Sequence, residues 1–282
     1  MFDKARVRVA RDEAGYGRLV TDTMKRFPTL FVSHGAPTLA LESGGTADFL
    51  RELGGTLGRP AAVVCVSAHW DRPSLSVSGA ASPRTVHDFA GFPPQLYELR
   101  YQAPGSPELA REIAGALAAA GQPAHIDDER GLDHGVWVPL SLMYPAADVP
   151  VVALSVHSGA DPAYHFDIGW ALDPFRTQGI LILGSGGATH NLRDVMQRPP
   201  HAPPLSYAQE FTEWLCLAVT QGRTEDLLEY RERAPHAQRA HPTPEHFLPL
   251  FVALGASGAP PGRVLHREIE YGALSLAAFT WD

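Results

Sequence analysis

The sequence predicts a single-domain α/β fold, in which a central, mostly parallel mixed sheet is flanked by helices. Three apolar runs, 61–66, 149–156 and 180–183, have the length and composition of strands that are buried on both faces. Segments with helical periodicity separate these runs, and this alternation is typical of the crossover connections of a parallel sheet. The chain has 282 residues, 45% of them hydrophobic, and no linker rich in serine, glycine or charge divides it. We therefore expect one domain.

The first part of the chain predicts strands, one helix and a long loop. We expect strands at 29–33, 61–70 and 75–78, and a helix over 45–58. Gly35 and Pro37 end the first strand because they favour a tight turn. The segment 82–104 is too long for an ordinary connection, and its aromatic residues are unusual in disordered chain. It therefore predicts an ordered loop that walls a pocket for a flat ligand.

The second part of the chain continues the alternation. We expect helices over 107–120, 161–178, 205–220, 223–232 and 244–255, and residues 131–137 lead into a further helical stretch that runs through 144. We expect strands at 124–126, 149–156, 180–183 and twice within 264–281. Ser106 and Thr243 predict helix caps, because each is followed by a proline that suits the first helical position. Residues 234–242 are polar and predict a loop. Gly272 marks the break between the last two strands.

The net charge, the apolar segments and the cysteines of the chain argue against several classes of function. The net charge of −8 argues against a nucleic-acid surface, and no window approaches the ~18 apolar residues of a membrane span. Cys65 and Cys216 lie in apolar patterns, which predicts buried thiols and a reducing, cytoplasmic location. Residues 1–27 predict a polar arm without the apolar core of a secretory signal and without a catalytic role. Residues 28–282 form the predicted globular domain.

Histidines stand at the ends of three predicted strands. His34, His69 and His190 each lie at or shortly after such an end, and His246 is a fourth candidate in the last predicted helix. In open α/β sheets the carboxyl ends of the strands form the edge where ligands bind. Neutral imidazole is the commonest protein ligand for zinc, iron and copper. The joint placement therefore predicts one metal site.

Each candidate also has an ordinary alternative. A single loop histidine is more often a hydrogen-bonded structural residue than a ligand. His134, between Asp133 and Gly135, is either an acid–base group or a residue that stabilises the following helix, and His87 either orients a substrate or holds its loop together. The Gly-Ser-Gly-Gly stretch at 184–187 lacks the lysine of a phosphate-binding loop. No Gly-x-Ser-x-Gly motif of a serine hydrolase is present.

Seven motifs occur in order along the chain. They are Ser-His-Gly-Ala-Pro at 33–37, Ser-Ala-His-Trp at 67–70, His-Asp-Phe-Ala-Gly-Phe-Pro at 87–93, Tyr-Gln-Ala-Pro-Gly-Ser at 101–106, Asp-His-Gly-Val-Trp at 133–137, His-Asn-Leu at 190–192 and Thr-Pro-Glu-His-Phe-Leu-Pro at 243–249. Together they resemble the 4,5-DOPA extradiol dioxygenase family. That family belongs to the class III extradiol ring-cleavage dioxygenases, related to the catalytic subunit of protocatechuate 4,5-dioxygenase. The resemblance covers residues 28–280.

The resemblance implies a mononuclear metal centre. His34, His69 and His246 match metal ligands, and His190 matches either a fourth ligand or the catalytic base beside the metal. His134 matches a pocket residue that orients or protonates the substrate. One non-haem Fe(II) per chain is implied for activity, and Zn(II) is an alternative in the purified protein, since a histidine-rich site suits both metals. The implied partners are a small aromatic substrate and O2.

One feature departs from the usual non-haem iron triad of two histidines and one carboxylate. Glu245 stands directly before His246. Adjacent residues on a helix point about 100° apart, so we expect one of them to bind the metal but not both. The family motif favours His246.

The resemblance also predicts a reaction. His190 would take a proton from a catechol hydroxyl, His134 or His190 would return a proton, and the product would be a ring-opened semialdehyde. The side chains expected to contact the flat ring are His87, Trp70, Phe89, Phe92 and Trp137.

Two other functions remain open from the sequence. A zinc-dependent hydrolase on the same site predicts tightly held zinc, hydrolysis of amides or esters, and no oxygen consumption. A non-catalytic binding protein of the same superfamily predicts an intact fold with a closed or incomplete metal shell.

Overall fold

The computed structural model describes residues 26–282 together with the backbone of 7–11 and 17–21. Most of the predicted polar arm, residues 1–27, lies outside these described residues. Within it, strand β1 (Val7–Arg11) pairs antiparallel with strand β2 (Gly17–Thr21). No helix in the described part of the chain is long and apolar enough to cross a membrane.

One mixed sheet of eight strands organises the molecule. Its strands are β3 (Thr29–Ser33), β4 (Ala62–Asp71), β5 (Ser76–Ser78), β6 (His125–Asp127), β7 (Val151–Val156), β8 (Ile180–Gly186), β9 (Arg263–His266) and β12 (Ala278–Trp281), and their order is β6-β5-β7-β4-β8-β3-β12-β9. The central strands β7, β4, β8 and β3 are parallel to one another. The pairs β5–β7, β3–β12 and β12–β9 are antiparallel. The predicted α/β fold with a mostly parallel mixed sheet is confirmed.

Helices cover both faces of the sheet. They are α1 (Gly45–Leu57), α2 (Pro94–Glu98), α3 (Pro107–Ala119), α4 (His134–Met143), α5 (Pro162–Arg176), α6 (Leu192–Val195), α7 (Ser206–Thr220), α8 (Thr224–Leu228), α9 (Tyr230–Arg233), α10 (Ala237–Ala240) and α11 (Leu248–Ser257), with a 3-10 helix at Pro37–Leu41. Successive side chains of a strand point to opposite faces. Val64 and Val66 of β4 therefore join a core formed with α3, α5, α7 and α11, whereas Val63 and Cys65 join a core formed with α1 and α4.

The last long helix begins later than the sequence predicts. The predicted start at Pro244 is wrong, because residues 244–247 form a turn in which the Phe247 amide donates to the Pro244 carbonyl at 2.8 Å. Helix α11 begins at Leu248, with Pro249 in its first turn. A proline there sacrifices no helical hydrogen bond. His246 consequently lies in a turn rather than on a helix.

Smaller differences concern short elements. The loop over 82–104 contains the single turn of α2, and the polar segment 234–242 contains α10. The predicted helix over 223–232 divides into α8 and α9 at Glu229. Near the C-terminus, strands β10 (Ile269–Glu270) and β11 (Leu274–Ser275) pair beside Gly272, so this region has four short strands instead of two.

Candidate metal centre

The fold brings four predicted histidines together at the carboxyl edge of the parallel strands. His34 follows β3, His69 lies near the end of β4 and His190 follows β8. These strands are neighbours, with β8 between β4 and β3. His246 reaches the same place from the turn before α11. His69 and His246 meet at this site although they are 177 positions apart in sequence.

The Nε2 atoms of three histidines converge. Nε2 of His69 lies 3.0 Å from Nε2 of His34 and 3.2 Å from Nε2 of His246. The three ring planes cross at 53°, 55° and 85°. Two ligands at right angles, each about 2.1 Å from one ion, would lie about 3.0 Å apart. Each of these two Nε2 distances therefore fits a pair of ligands on one metal ion.

Hydrogen bonds on the outer nitrogens determine which way the rings face. Nδ1 of His34 lies 3.0 Å from the hydroxyl of Ser185, and that hydroxyl donates its own hydrogen to the Gly135 carbonyl. Pro139 lies within α4 and has no N–H for the carbonyl four residues before it, so Ser185 supplies the missing donor. The hydroxyl can then only accept from His34, which places the proton on Nδ1 and leaves the Nε2 lone pair facing the centre.

Carboxylate oxygens face the outer nitrogens of the other two histidines. Nδ1 of His69 lies 3.4 Å from a carboxylate oxygen of Asp88. Nδ1 of His246 donates to Glu245 at 3.0 Å, and the hydroxyl of Thr243 donates to the same Glu245 oxygen. A carboxylate or carbonyl acceptor on the outer nitrogen is the usual partner of a metal-bound histidine. Glu245 is therefore placed to orient His246.

A β-bulge sets the position of His69. Between Val66 and Asp71 the register of β4 against β7 shifts, because five steps along β4 match two steps along β7. The four residues of the Ser-Ala-His-Trp stretch, 67–70, therefore stand opposite one residue of β7. Ser67 holds this stretch by donating to the buried carboxylate of Asp133 at 2.6 Å and accepting from the His69 amide at 3.2 Å. Bulges commonly re-aim a side chain at a site.

The glycine-rich stretch at the end of β8 allows the His246 turn to approach. A Cβ atom on Gly186 would overlap the carbonyl of His246, and one on Gly184 would overlap the carbonyl of Pro249. The Gly187 amide donates to the His246 carbonyl at 2.8 Å. Residues 184–187 superficially resemble a phosphate-binding loop. Their glycines instead let the backbone of the turn come close, and this contact positions His246, a candidate metal ligand.

His190 stands differently from the other three. Its ring is stacked on that of His246, with centroids 3.4 Å apart and an angle of 8° between the planes. It lines a cavity of about 450 Å³ together with Glu245. An ion bound to an imidazole lies in the plane of that ring. Two parallel planes this far apart do not share an ion, so the geometry favours His190 as a neighbour of the metal rather than a ligand.

His134 is the first residue of α4, and Asp88 links it to the centre. One Asp88 oxygen accepts from the His134 amide at 3.0 Å and from its Nδ1 at 2.9 Å, while the other faces His69. Burial alone would raise the pKa of Asp88, but the hydrogen bonds from His134 outweigh it and lower the pKa to about 2. Asp88 is therefore an ionised acceptor at neutral pH.

Burial makes the histidines of the centre neutral. It lowers the pKa of His69 to about 3 and that of His190 to about 4. The pKa values of His34 and His246 fall well below the ordinary value, first through burial and then through the neighbouring imidazoles. Neutral imidazoles present the lone pairs that a metal needs.

The aromatic side chains expected at the pocket occupy two places. Phe89 lies 5.7 Å from the ring of His134 and 5.3 Å from that of Phe92, and the buried Trp137 lies 6.4 Å from Phe89. Trp70 is also buried, but the guanidinium of Arg130 lies over its ring at 4.8 Å. Contact of these side chains with a substrate stays a prediction.

His87 has a structural partner. Its Nε2 donates to the Leu99 carbonyl at 3.1 Å, which ties together the two ends of the aromatic loop. Its predicted contact with substrate stays a prediction.

Sequence reasoning missed two functional side chains. Asp88 directly follows His87, and a carboxylate next to a histidine is the signal in the sequence that indicates it. Ser185 lies within the glycine-rich stretch at 184–187, whose composition suggests only a phosphate-binding loop. No local pattern indicates its bond to His34, since the two residues are 151 positions apart.

The chain is similar to known ring-opening dioxygenases. The family model of the catalytic LigB subunit of aromatic ring-opening dioxygenase matches residues 28–278. The 4,5-DOPA dioxygenase extradiol of Beta vulgaris is 42% identical over 257 residues, covering 89% of this chain and 95% of the relative. The protein of the same name from Escherichia coli strain K12 is 41% identical over 256 residues, covering 89% of this chain and 93% of the relative.

A solved structure shares the architecture. An uncharacterized protein from Escherichia coli K12 superposes with a TM-score of 0.76 at 34% sequence identity, covering 91% of this chain and 100% of that one. The chain therefore belongs to the family of the catalytic LigB subunit of aromatic ring-opening dioxygenases, and it is an extradiol ring-cleaving dioxygenase.

Proposed function

We propose that this chain is an Fe(II)-dependent enzyme that cleaves a DOPA-like catechol with O2 and releases a ring-opened semialdehyde. The observation that carries the proposal is the convergence of three Nε2 atoms, 3.0 and 3.2 Å apart, each on a ring whose outer nitrogen faces an oxygen atom. The relatives from Beta vulgaris and Escherichia coli are named for DOPA, which supports a catechol of this kind.

His34, His69 and His246 would hold the metal. A bound Fe(II) would supply Lewis acidity toward the catechol hydroxyls and a redox couple suited to O2. Three neutral imidazoles also suit Zn(II), so we propose that the purified protein carries either metal and that the iron form is active. The non-catalytic alternative predicts an incomplete metal shell, and the complete set of oriented histidines argues against it.

His190 would act as the base. Its ring is stacked parallel to His246 and lines the 450 Å³ cavity, so its free nitrogen can accept a proton from a catechol hydroxyl in that cavity. His134 would hold a proton at Nε2 and deliver it to the reacting substrate. Its Nδ1 is committed to Asp88, and Nε2 has no hydrogen-bond partner within residues 26–282.

Buried thiols support a reducing location. Cys65 and Cys216 are both unpaired and buried. We propose that the protein works in the cytoplasm, where such thiols remain reduced.

The test is oxygen uptake by anaerobically Fe(II)-loaded protein given a panel of catechols that includes DOPA. We expect stoichiometric uptake with growth of a yellow product. The variant His190→Gln should lose at least about 100-fold in kcat while retaining one metal per chain. His125→Gln is the matched control, since His125 is an exposed histidine on β6.

Two results would contradict the proposal. Absence of oxygen uptake with every catechol, despite one bound Fe(II) per chain, would reject the dioxygenase; hydrolysis of esters by the zinc form would then favour the zinc hydrolase. Loss of metal from His190→Gln equal to that from His69→Gln would instead make His190 a ligand.

A further inference from the structure

Three hydrogen bonds join the loop over 188–191, which carries His190, to the segment 239–241. They run from the His190 amide to the Ala240 carbonyl at 2.8 Å, from Nδ2 of Asn191 to the Arg239 carbonyl at 2.9 Å, and from Nε2 of His241 to the Ala188 carbonyl at 3.0 Å. Of these three, only the last uses a side chain of the segment. A substitution at His241 therefore removes one bond and leaves the other two donors and acceptors in place.

The ring of His241 is a fixed donor. It is fully buried, and its centroid lies 4.7 Å from that of Phe247 and 5.4 Å from that of Phe211. Its backbone carbonyl accepts from Nη1 of Arg231 at 2.7 Å. Burial lowers the pKa of His241 to about 3, so the imidazole is neutral and carries one N–H. Because Nε2 faces a carbonyl, that N–H is on Nε2 and is committed to Ala188.

The backbone of Ala188 is held from two sides. Its amide donates to the hydroxyl of Ser33 at 3.0 Å, and its carbonyl accepts from His241. Ala188 stands two residues before His190 in the chain, so a shift of its backbone would carry the imidazole of His190 with it. The parallel stack of that ring on His246, with centroids 3.4 Å apart, consequently depends on where Ala188 is held.

We infer that His241 is a positioning residue, which fixes the imidazole of His190 beside the ring of His246 through the Ala188 carbonyl. The inference rests on the proposed function, because it takes His190 as the base. A base must stand within hydrogen-bond reach of the proton that it removes, and a misplacement of about 1 Å can cost about 100-fold in rate. His241 acts through His190 and not on the substrate, since its own ring is fully buried.

The first variant is His241→Phe, which keeps an aromatic ring among aromatic neighbours and removes the donor. We expect kcat to fall about 10-fold, with KM within about twofold of the natural chain and with one metal per chain. His241→Gln carries an amide N–H that can replace the Nε2 donor, and it should recover part of the loss. His165→Phe is the matched control, because His165 is another fully buried histidine, whose Nδ1 donates to the Asp161 carbonyl at the start of α5. It should leave kcat unchanged.

A double-mutant cycle separates positioning from a merely structural role. If His241 acts through His190, then His241→Phe should change kcat by less than about twofold in a chain that already carries His190→Gln. A structural role would make the two losses multiply, and that result would overturn the inference. If His241→Phe does not fold, His241→Asn replaces it in the cycle, because its shorter side chain does not reach Ala188.

Amide hydrogen exchange tests the same inference without turnover. In the zinc-loaded protein, the peptide 186–191 should exchange at least about 10-fold faster in His241→Phe than in the natural chain, and at the natural rate in His165→Phe. An unchanged rate in His241→Phe would overturn the inference. Absence of oxygen uptake with every catechol would instead reject the proposed function, and the exchange rates would still show whether His241 holds the loop.

Discussion

Ser185 gives the sharpest test of how the metal centre is organised. Its hydroxyl accepts from Nδ1 of His34 at 3.0 Å and donates to the Gly135 carbonyl, which lacks a helical donor because of Pro139. Ser185 is fully buried. The change Ser185→Ala therefore leaves both groups without a partner and without access to water. The proton of His34 is no longer held on Nδ1, so Nε2 loses its fixed role as the inward lone pair.

The magnitude follows from these contacts. Removing the acceptor that orients a metal-bound histidine typically lowers metal affinity by about 10- to 100-fold, which corresponds to about 1.4–2.7 kcal/mol. The unsatisfied buried donor alone accounts for about 1–3 kcal/mol. We expect Ser185→Ala to bind Zn(II) about 30-fold more weakly than the natural chain. Zinc is the suitable probe because it does not change oxidation state.

The assay is competition with a chromophoric chelator, combined with thermal melting of the metal-free protein. Ser141→Ala is the matched control, because Ser141 donates to the Val138 carbonyl at 2.8 Å within α4 and does not contact a histidine of the centre. Zinc affinity within about threefold of the natural chain, together with a lowered melting temperature, would refute the reasoning. Ser185 would then stabilise α4 without orienting His34.

Three further predictions concern other parts of the molecule. Asp88→Asn should lower kcat by about 10- to 100-fold with little change in KM, because an amide cannot accept from His134 as an ionised carboxylate does; an unchanged kcat in steady-state kinetics would contradict this. Gly186→Ala should reduce the metal content of the purified protein well below one per chain, because its Cβ would displace the His246 turn; full occupancy by elemental analysis would contradict it. Burial, and then Glu42 and Glu268, raise the pKa of Glu270 from 4.5 to about 7, so its contribution to stability is present below pH 4.5 and is lost as pH rises through 7. Glu270→Gln should therefore stabilise the fold at pH 8 relative to pH 5, by about 1 kcal/mol in urea unfolding after allowance for solvent screening, and an equal effect at both pH values would count against it.

Most of the sheet could be predicted because its signals are local. The run 180–183 is apolar throughout, which is typical of a strand whose two faces are both covered by helices. Because such strands belong to parallel sheets, the same run predicts both the strand and its parallel pairing. The start of α11 could not be predicted in this way. Pro244 and Pro249 both suit a first helical turn, and the choice between them depends on the contact of the His246 turn with Gly186 and Gly187.

The candidate site likewise has features that the sequence predicts and features that depend on the tertiary structure. Because parallel strands share one carboxyl edge, the sequence by itself determined that His34, His69 and His190 would stand close together. It also determined, through its ordered motifs, the family to which the chain belongs. Only the tertiary structure decided which nitrogen of each ring faces inward, and that the ring of His190 stacks on that of His246. Ring orientation depends on partners that are remote in sequence, such as Ser185 for His34, and no local pattern records those partners.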